Sequence, residues 1–115
     1  MALTGEGVLL RIFIGEADRH GGRPLSEVIV ETARKRGLAG ATAWKGFMGF
    51  GAHSHMHTAK VLRLSTDLPV IIEIVDTRAK IDAFLPELDN LVAEGLVTLE
   101  RADIQIYRGP AKPRV

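Results

Sequence analysis

The apolar pattern of this 115-residue chain predicts an α+β fold, and three observations carry the expectation. Stretches of strand character recur at Val8–Ile14, Ala41–Met48, Val70–Val75 and Ile104–Tyr107. Two stretches between them, opening at Pro24 and Thr77, space their apolar residues as amphipathic helices do. The resulting order, β-α-β-loop-β-α-β, fits a split βαβ, ferredoxin-like plaited sheet with both helices on one face and a long loop between the second and third strands. Residues 8–108 make one domain, and 109–115, with two prolines, make a tail without regular structure.

Taken in order, Val8–Ile14 (VLLRIFI) puts Leu10, Ile12 and Ile14 on one face and Leu9, Arg11 and Phe13 on the other. Gly15–Gly22 is a polar loop. Pro24 occupies the favoured first position of a helix and Gly37 the position just past its end. Leu25, Val28, Ile29 and Ala33 form its apolar stripe, and Arg34, Lys35 and Arg36 meet the negative end of its dipole. Ala41–Met48 is the second strand. Lys60–Leu64 alternates as a short strand or hairpin arm, broken by Asp67, Leu68 and Pro69. Val70–Val75 is the strongest strand. Thr77 caps the second helix, whose stripe is Ile81, Phe84, Leu85, Leu88, Leu91 and Val92. Pro86 inside it predicts a kink or two short helices, and Gly95 its end. Leu96–Leu99 leads through a charged turn, Glu100 to Asp103, into the last strand.

The strands are apolar on both sides. Leu9 and Phe13 oppose Leu10, Ile12 and Ile14, while Ile71 and Val75 oppose Val70, Ile72 and Ile74. Two helices cover only one face of such a sheet, so other subunits should cover the second, in a closed homo-oligomer. Arg11 and Glu73 then fall in that interface and can pair across it.

Composition narrows the function. A chain 46% apolar and 25% charged is globular, and a net charge of +1 with no Lys/Arg-flooded face argues against nucleic acid. There is no cysteine, hence no disulfide or thiolate metal site. No apolar run reaches the roughly 18 to 20 residues that span a bilayer, and the first residues are not a secretory signal. These features predict a cytoplasmic protein that is not membrane-embedded.

Gly37–Lys60 (GLAGATAWKGFMGFGAHSHMHTAK) stands apart, with five of twelve glycines, three of four histidines and the single tryptophan. Lys45, Gly46, Gly49 and Gly51 set a lysine beside G-x-x-G-x-G. Successive glycines let backbone N–H groups turn toward an anion while the lysine supplies charge. A flexible hairpin tip explains the same glycines. Lys60 and Arg63 can bring charge from the far side of the loop, and Arg108 from the chain end, or all three can lie in solvent. His53, His55 and His57 fall on one side of an extended segment, neighbours about 6.5–7 Å apart. Two can share a divalent metal such as zinc, and a three-fold axis could gather one from each chain; a plain polar loop is the alternative. Trp44 and Phe47 are core or interface aromatics, or stack on a base. Nothing assembles a nucleophile, base and orienting group, so the reading is not an enzyme.

The runs Gly37-Leu-Ala-Gly-Ala-Thr-Ala-Trp-Lys-Gly-Phe-Met-Gly-Phe-Gly51 and Leu68-Pro-Val-Ile-Ile-Glu-Ile-Val-Asp76 closely resemble the PII-like family numbered 190 among the domains of unknown function. Leu10-Arg-Ile-Phe-Ile-Gly-Glu16 and Phe84-Leu-Pro86 look like the same family, and the resemblance covers residues 9 to 107. More distantly the chain is similar to the PII signal-transduction proteins, ferredoxin-like trimers that bind adenine nucleotides between subunits and engage partners through a long loop. The resemblance implies a homotrimer, an adenine nucleotide or other small anion in the inter-subunit clefts, and Gly51–Leu68 as the loop. It implies a target protein such as a membrane transporter. Where PII proteins carry a glycine-rich, lysine-ended turn before the last strand, Val97–Asp103 has no glycine and only Arg101 as a cation. The PII loop tyrosine is also missing. The resemblance therefore does not carry a triphosphate site over, and a smaller or different anion stays open. The alternative is a metal-binding trimer using His53, His55 and His57, as in copper-tolerance relatives of this plaited fold.

Overall fold

The structure, a computed structural model, describes residues 3–52, 56–58 and 67–110, with residues 57 and 58 described by backbone alone. β1 (Gly5–Gly15) leads through β2 (Arg19–His20) and β3 (Arg23–Pro24) into α1 (Leu25–Lys35). β4 (Thr42–Lys45), β5 (Met48–Gly49) and β6 (His57–Thr58) follow, then β7 (Pro69–Asp76), α2 (Arg78–Leu91) and β8 (Leu96–Ile104). Four of these strands form one antiparallel sheet in the order β4-β7-β1-β8. This is the ferredoxin-like arrangement that the pattern predicts. Among the described residues, no helix is long and apolar enough to cross a membrane.

Alternation decides which face the helices cover. Val8, Leu10, Ile12 and Ile14 of β1 and Val70, Ile72 and Ile74 of β7 are buried against Leu25, Ile29 and Ala33 of α1 and Ile81, Phe84 and Leu88 of α2. Gly37, at φ +76°, turns the chain out of α1 in a conformation that disfavours a side chain. Thr77 caps α2 by accepting from the Lys80 N–H at 3.2 Å. The first helix begins one residue later than expected: Pro24 is its N-cap, still paired to Arg19 in the small hairpin.

Three expectations change. α2 runs unbroken through Pro86. Pro86 lies on the exposed side, so the carbonyl that loses its N–H partner faces solvent, while Ile81, Phe84 and Leu88 hold the opposite side to the sheet. α2 ends at Leu91, four residues before Gly95. The charged stretch Glu100–Asp103 is no turn. It is the middle of β8, which pairs residue by residue with β1 from Leu96 to Ile104, and residues 105–107 follow as irregular chain. An edge strand can hold charges because one of its sides faces water.

The face away from the helices is the open one. Strand register lays Trp44, Ile71, Phe13 and Leu96 across it as one row, and Val75 beside Leu9 as another. Between them runs a polar row. Arg11 bonds Glu73 at 2.8 Å and Glu100 at 2.9 Å, and the Trp44 indole N–H donates to Glu73 at 3.3 Å. Bonding to Glu73, ahead of the charge of Glu100, raises the Arg11 guanidinium above its ordinary value. Arg11 and Glu73 thus pair inside one chain, where the sequence allowed a pairing across an interface. β1 and β7 exchange their bonds in register, which leaves these two side chains neighbours on the same face.

Candidate functional site

The candidate ligand residues divide between the two ends of the sheet. At one end, β4 finishes at Lys45 opposite Val70, and β5 pairs with β6 to start a hairpin that stands off the main sheet. Gly46 donates its N–H to the Pro69 carbonyl at 2.7 Å. A Cβ added to Gly46 or Gly49 would lie 3.0 or 3.2 Å from the Pro69 ring. These two glycines let the hairpin base lie flat on Pro69, and the Gly46 N–H is already used. Gly51 is exposed, with nothing within 4 Å of where a Cβ would stand. The Lys45 ammonium bonds Glu16 at 2.7 Å, an exposed pair worth about 0–1 kcal/mol. Glu16 is held in turn by its N–H on the Leu68 carbonyl at 2.8 Å.

At the other end lies the loop from Gly37 to Ala41. Asp76 holds it. This carboxylate is 3% exposed, at the last position of β7, and accepts the Ala39 N–H at 2.8 Å and the Thr77 N–H at 2.7 Å. Lys80 reaches the Gly37 carbonyl at 3.3 Å, and the Tyr107 hydroxyl donates to the Ala39 carbonyl at 2.6 Å. Arg108 follows Tyr107 on the exposed chain end. Arg101 is also exposed, on β8 opposite Val8, and bonds Glu6 at 2.9 Å.

Lys45 and Arg101 are therefore far apart. Three inter-strand steps separate them across the sheet, about 14 Å, and six residues of β1 along it, about 20 Å. A side chain from each end cannot close on one small anion within a single chain. Asp76, Lys80 and Tyr107 were not among the sequence candidates. Asp76 had a signal: continuing the alternation of Ile72 and Ile74 puts it on the core face, where a carboxylate needs donors. Tyr107 had none, since its partner lies 68 residues away.

Lys60, Arg63, His53 and His55 lie outside the described residues, and His57 is placed only by the pairing of its backbone with Gly49. Among the described residues, no group of three or more His, Asp or Glu could hold a metal ion. A surface hollow of about 730 Å³ runs along α2 and β8 past Leu85, Leu88, Val92 and Val97, and Lys45, Arg101 and Arg108 are not among its lining residues.

Comparison with known proteins adds the following. The model of the family DUF190, described as Uncharacterized ACR, matches residues 7–104. A UPF0166 protein of Aquifex aeolicus is 38% identical over 96 residues, 84% of this chain and 90% of that one. A UPF0166 protein of Methanocaldococcus jannaschii is 33% identical over 102 residues, 88% of this chain and 92% of that one. Among solved structures, CPII from Thiomonas intermedia K12 bound to ADP and bicarbonate superposes with a TM-score of 0.59 at 16% identity, covering 86% of this chain and 88% of that one. A second structure of CPII, described as a nitrogen regulatory PII-like protein and bound to ADP, AMP and bicarbonate, gives 0.59 at 17% identity with the same coverage. At that identity the likeness is one of fold.

Proposed function

We propose that this chain, which belongs to the DUF190 family of PII-like proteins, is a regulatory binding protein rather than an enzyme. In this reading it forms a homotrimer, takes a small anion in the clefts between subunits, and presents its 46–60 loop to a target protein. The observation that carries the reading is the separation of the cations. Lys45 stands at one end of the sheet, and Arg101 and Arg108 belong with the other. A second copy docked on the open face can bring the Arg101 end of one chain to the Lys45 end of the next. The row of Trp44, Phe13 and Leu96, with Ile71 buried between Trp44 and Phe13, supplies an apolar surface for such a copy.

An adenine nucleotide is the first ligand to test, and bicarbonate the second. The support is that CPII, of the same fold, was solved with ADP, AMP and bicarbonate. Bicarbonate also suits a chain whose last strand lacks the glycine-rich, lysine-ended turn that cradles further phosphates. Lys45 is the anchoring cation, released from Glu16 when the anion arrives.

The test is a melting series on the purified oligomer with ATP, ADP, AMP and bicarbonate. A ligand at about a hundred times its Kd stabilises the folded state by about 2.7 kcal/mol. Lys45→Ala should remove the shift without changing the mass of the oligomer. A monomer by sedimentation, or a melting temperature that none of the four ligands moves, would overturn the proposal.

A further inference from the structure

Charge is sorted along this chain, although its total is only +1. From Thr32 to Ala52 stand Arg34, Lys35, Arg36 and Lys45 with no Asp or Glu. From Ile81 to Glu100 stand Asp82, Glu87, Asp89, Glu94 and Glu100 with no Lys or Arg. The fold already joins the two blocks once, because Arg36 at the end of α1 bonds both carboxylate oxygens of Glu87 on α2. Its neighbours stay unanswered. Among the described residues, Arg34, Lys35 and Asp89 are exposed and enter no ion pair.

The hollow along α2 and β8 suits those two cations. Asp82, Leu85, Asp89 and Val92 recur at i, i+3, i+7 and i+10, a stripe of α2 beside the one that Ile81, Phe84 and Leu88 turn to the core. Leu85, Leu88, Val92 and Val97 give the hollow an apolar floor, exposed Asp82 and Asp89 stand at its edge, and no Lys or Arg lines it. Arg78 engages Asp82 at 3.0 Å, which leaves Asp89 as the open charge. About 730 Å³ of such space takes Lys and Arg side chains well. Their long stems lie on apolar surface while the charge stays at the edge.

A foreign basic segment would fill the hollow yet leave Arg34 and Lys35 without a carboxylate. A second copy related by a two-fold axis satisfies both, since each chain's α1 end then enters the hollow of the other. We propose that the helical layer is a self-association surface, on which Arg34 and Lys35 of one copy dock in the Asp82–Asp89 hollow of a second. This layer is the side opposite to the open face. The contact depends on neither the trimer nor the anion, so its failure and theirs are separable.

The experiment is light scattering and sedimentation of the full chain, without nucleotide, at low salt and at about 1 M salt, where charges are screened beyond about 3 Å. The mass at low salt should be at least about twofold that at high salt, because screening removes the contact. Arg34→Glu with Lys35→Glu, or Asp82→Lys with Asp89→Lys, should weaken the low-salt association at least about tenfold, since each sets like charges together. Mixed one to one, the two variants should associate again, because the reversed end of one meets the reversed hollow of the other. All four positions are exposed, so circular dichroism should stay that of the wild type. If a reversal disturbs folding, Arg34→Gln with Lys35→Gln should give a smaller loss of the same sign. Equal mass at the two salts, or an unlike mixture that does not associate, overturns the proposal. So does a low-salt association that survives either reversal, which assigns it to another face. Binding of an oligolysine peptide at the hollow with a salt-independent mass assigns the hollow to a foreign basic partner and overturns it too.

Discussion

Replacing Asp76 by asparagine tests how the candidate site is held to the fold. The buried carboxylate takes one N–H from the Gly37–Ala41 loop and one from the first turn around α2, at 2.8 and 2.7 Å. Asparagine keeps one acceptor oxygen and turns an NH₂ toward the second N–H, so one bond to a charged acceptor becomes a meeting of two donors. Such a bond is worth about 1.5–3 kcal/mol. The expected loss for Asp76→Asn is therefore about 2–3 kcal/mol, and for Asp76→Ala, which removes both bonds, about 3–5 kcal/mol. Against a total stability of roughly 5–15 kcal/mol these are large fractions. Urea unfolding at fixed protomer concentration reads the loss. With a slope of about 1.5 kcal/mol/M, the asparagine variant should unfold roughly 1.5 M earlier. Amide exchange should speed up at Ala39 and Thr77 together. Asp82→Asn is the control, because the pair of Asp82 with Arg78 at 3.0 Å is exposed and its removal should cost about 0–1 kcal/mol. A loss below about 0.5 kcal/mol for Asp76→Asn, or unchanged protection at Ala39, would refute the idea that this carboxylate ties the loop to the sheet.

Gly95 sits at φ +151° with the Phe13 carbonyl oxygen 2.6 Å from where a Cβ would go, so Gly95→Ala should cost about 2–3 kcal/mol and lower the melting temperature by roughly 10 °C. Glu31 is held below its ordinary value of 4.5, chiefly by its bonds to Arg23. Its folded value is depressed, so its stabilisation is present above the unfolded value and lost as pH falls through the folded one; Glu31→Gln should flatten that part of an acid-unfolding curve, and an unchanged curve would contradict it. Glu16→Gln frees Lys45, so anion affinity should rise up to about fivefold while stability moves by less than about 1 kcal/mol; a weaker affinity in the melting series would count against Lys45 as the anchor. Leu96 is exposed in the protomer, so Leu96→Asp should leave the fold intact yet dissociate an oligomer built on the open face, which light scattering would show as a fall in mass.

The fold was legible where local pattern and long-range packing agree. Leu10, Ile12 and Ile14, then Val70, Ile72 and Ile74, alternate so regularly that only a half-covered strand accommodates them, and Thr77 and Gly37 mark helix ends by their own chemistry. Legibility failed where the deciding partner is remote. Glu100 and Arg101 look like a turn in isolation, but Arg11 and Glu6 receive them 89 and 95 residues away on β1. Pro86 looks like a break because the exposed side of a helix cannot be weighed before the buried side is known. The site suffered most from this. Gly46 and Gly49 read as an anion cradle from their spacing, whereas their present use is close approach to Pro69. Lys45 read as a free charge until Glu16 came within 2.7 Å.

That last pairing bears on how a ligand-responsive loop can work. A lysine held deep in a buried pair would make ligand entry expensive, and a lysine with no partner would leave the loop indifferent to ligand. Lys45 is between the two. Its bond to Glu16 is exposed and weak, so an anion can take the lysine at a cost of at most about 1 kcal/mol. Glu16 belongs to the segment that also holds Asp67 and the Leu68 carbonyl, through the Ala17 and Glu16 N–H groups. Lys45 belongs to β4, which leads directly into the Gly46–Pro69 contact and the hairpin. On the proposed reading, exchange of one salt-bridge partner for another at Lys45 therefore acts both where β4 enters the hairpin and where Asp67 and Leu68 meet the end of β1. On that reading, the free and ligand-bound arrangements at Lys45 differ in the free chain by no more than that weak pair, so a modest ligand affinity biases them.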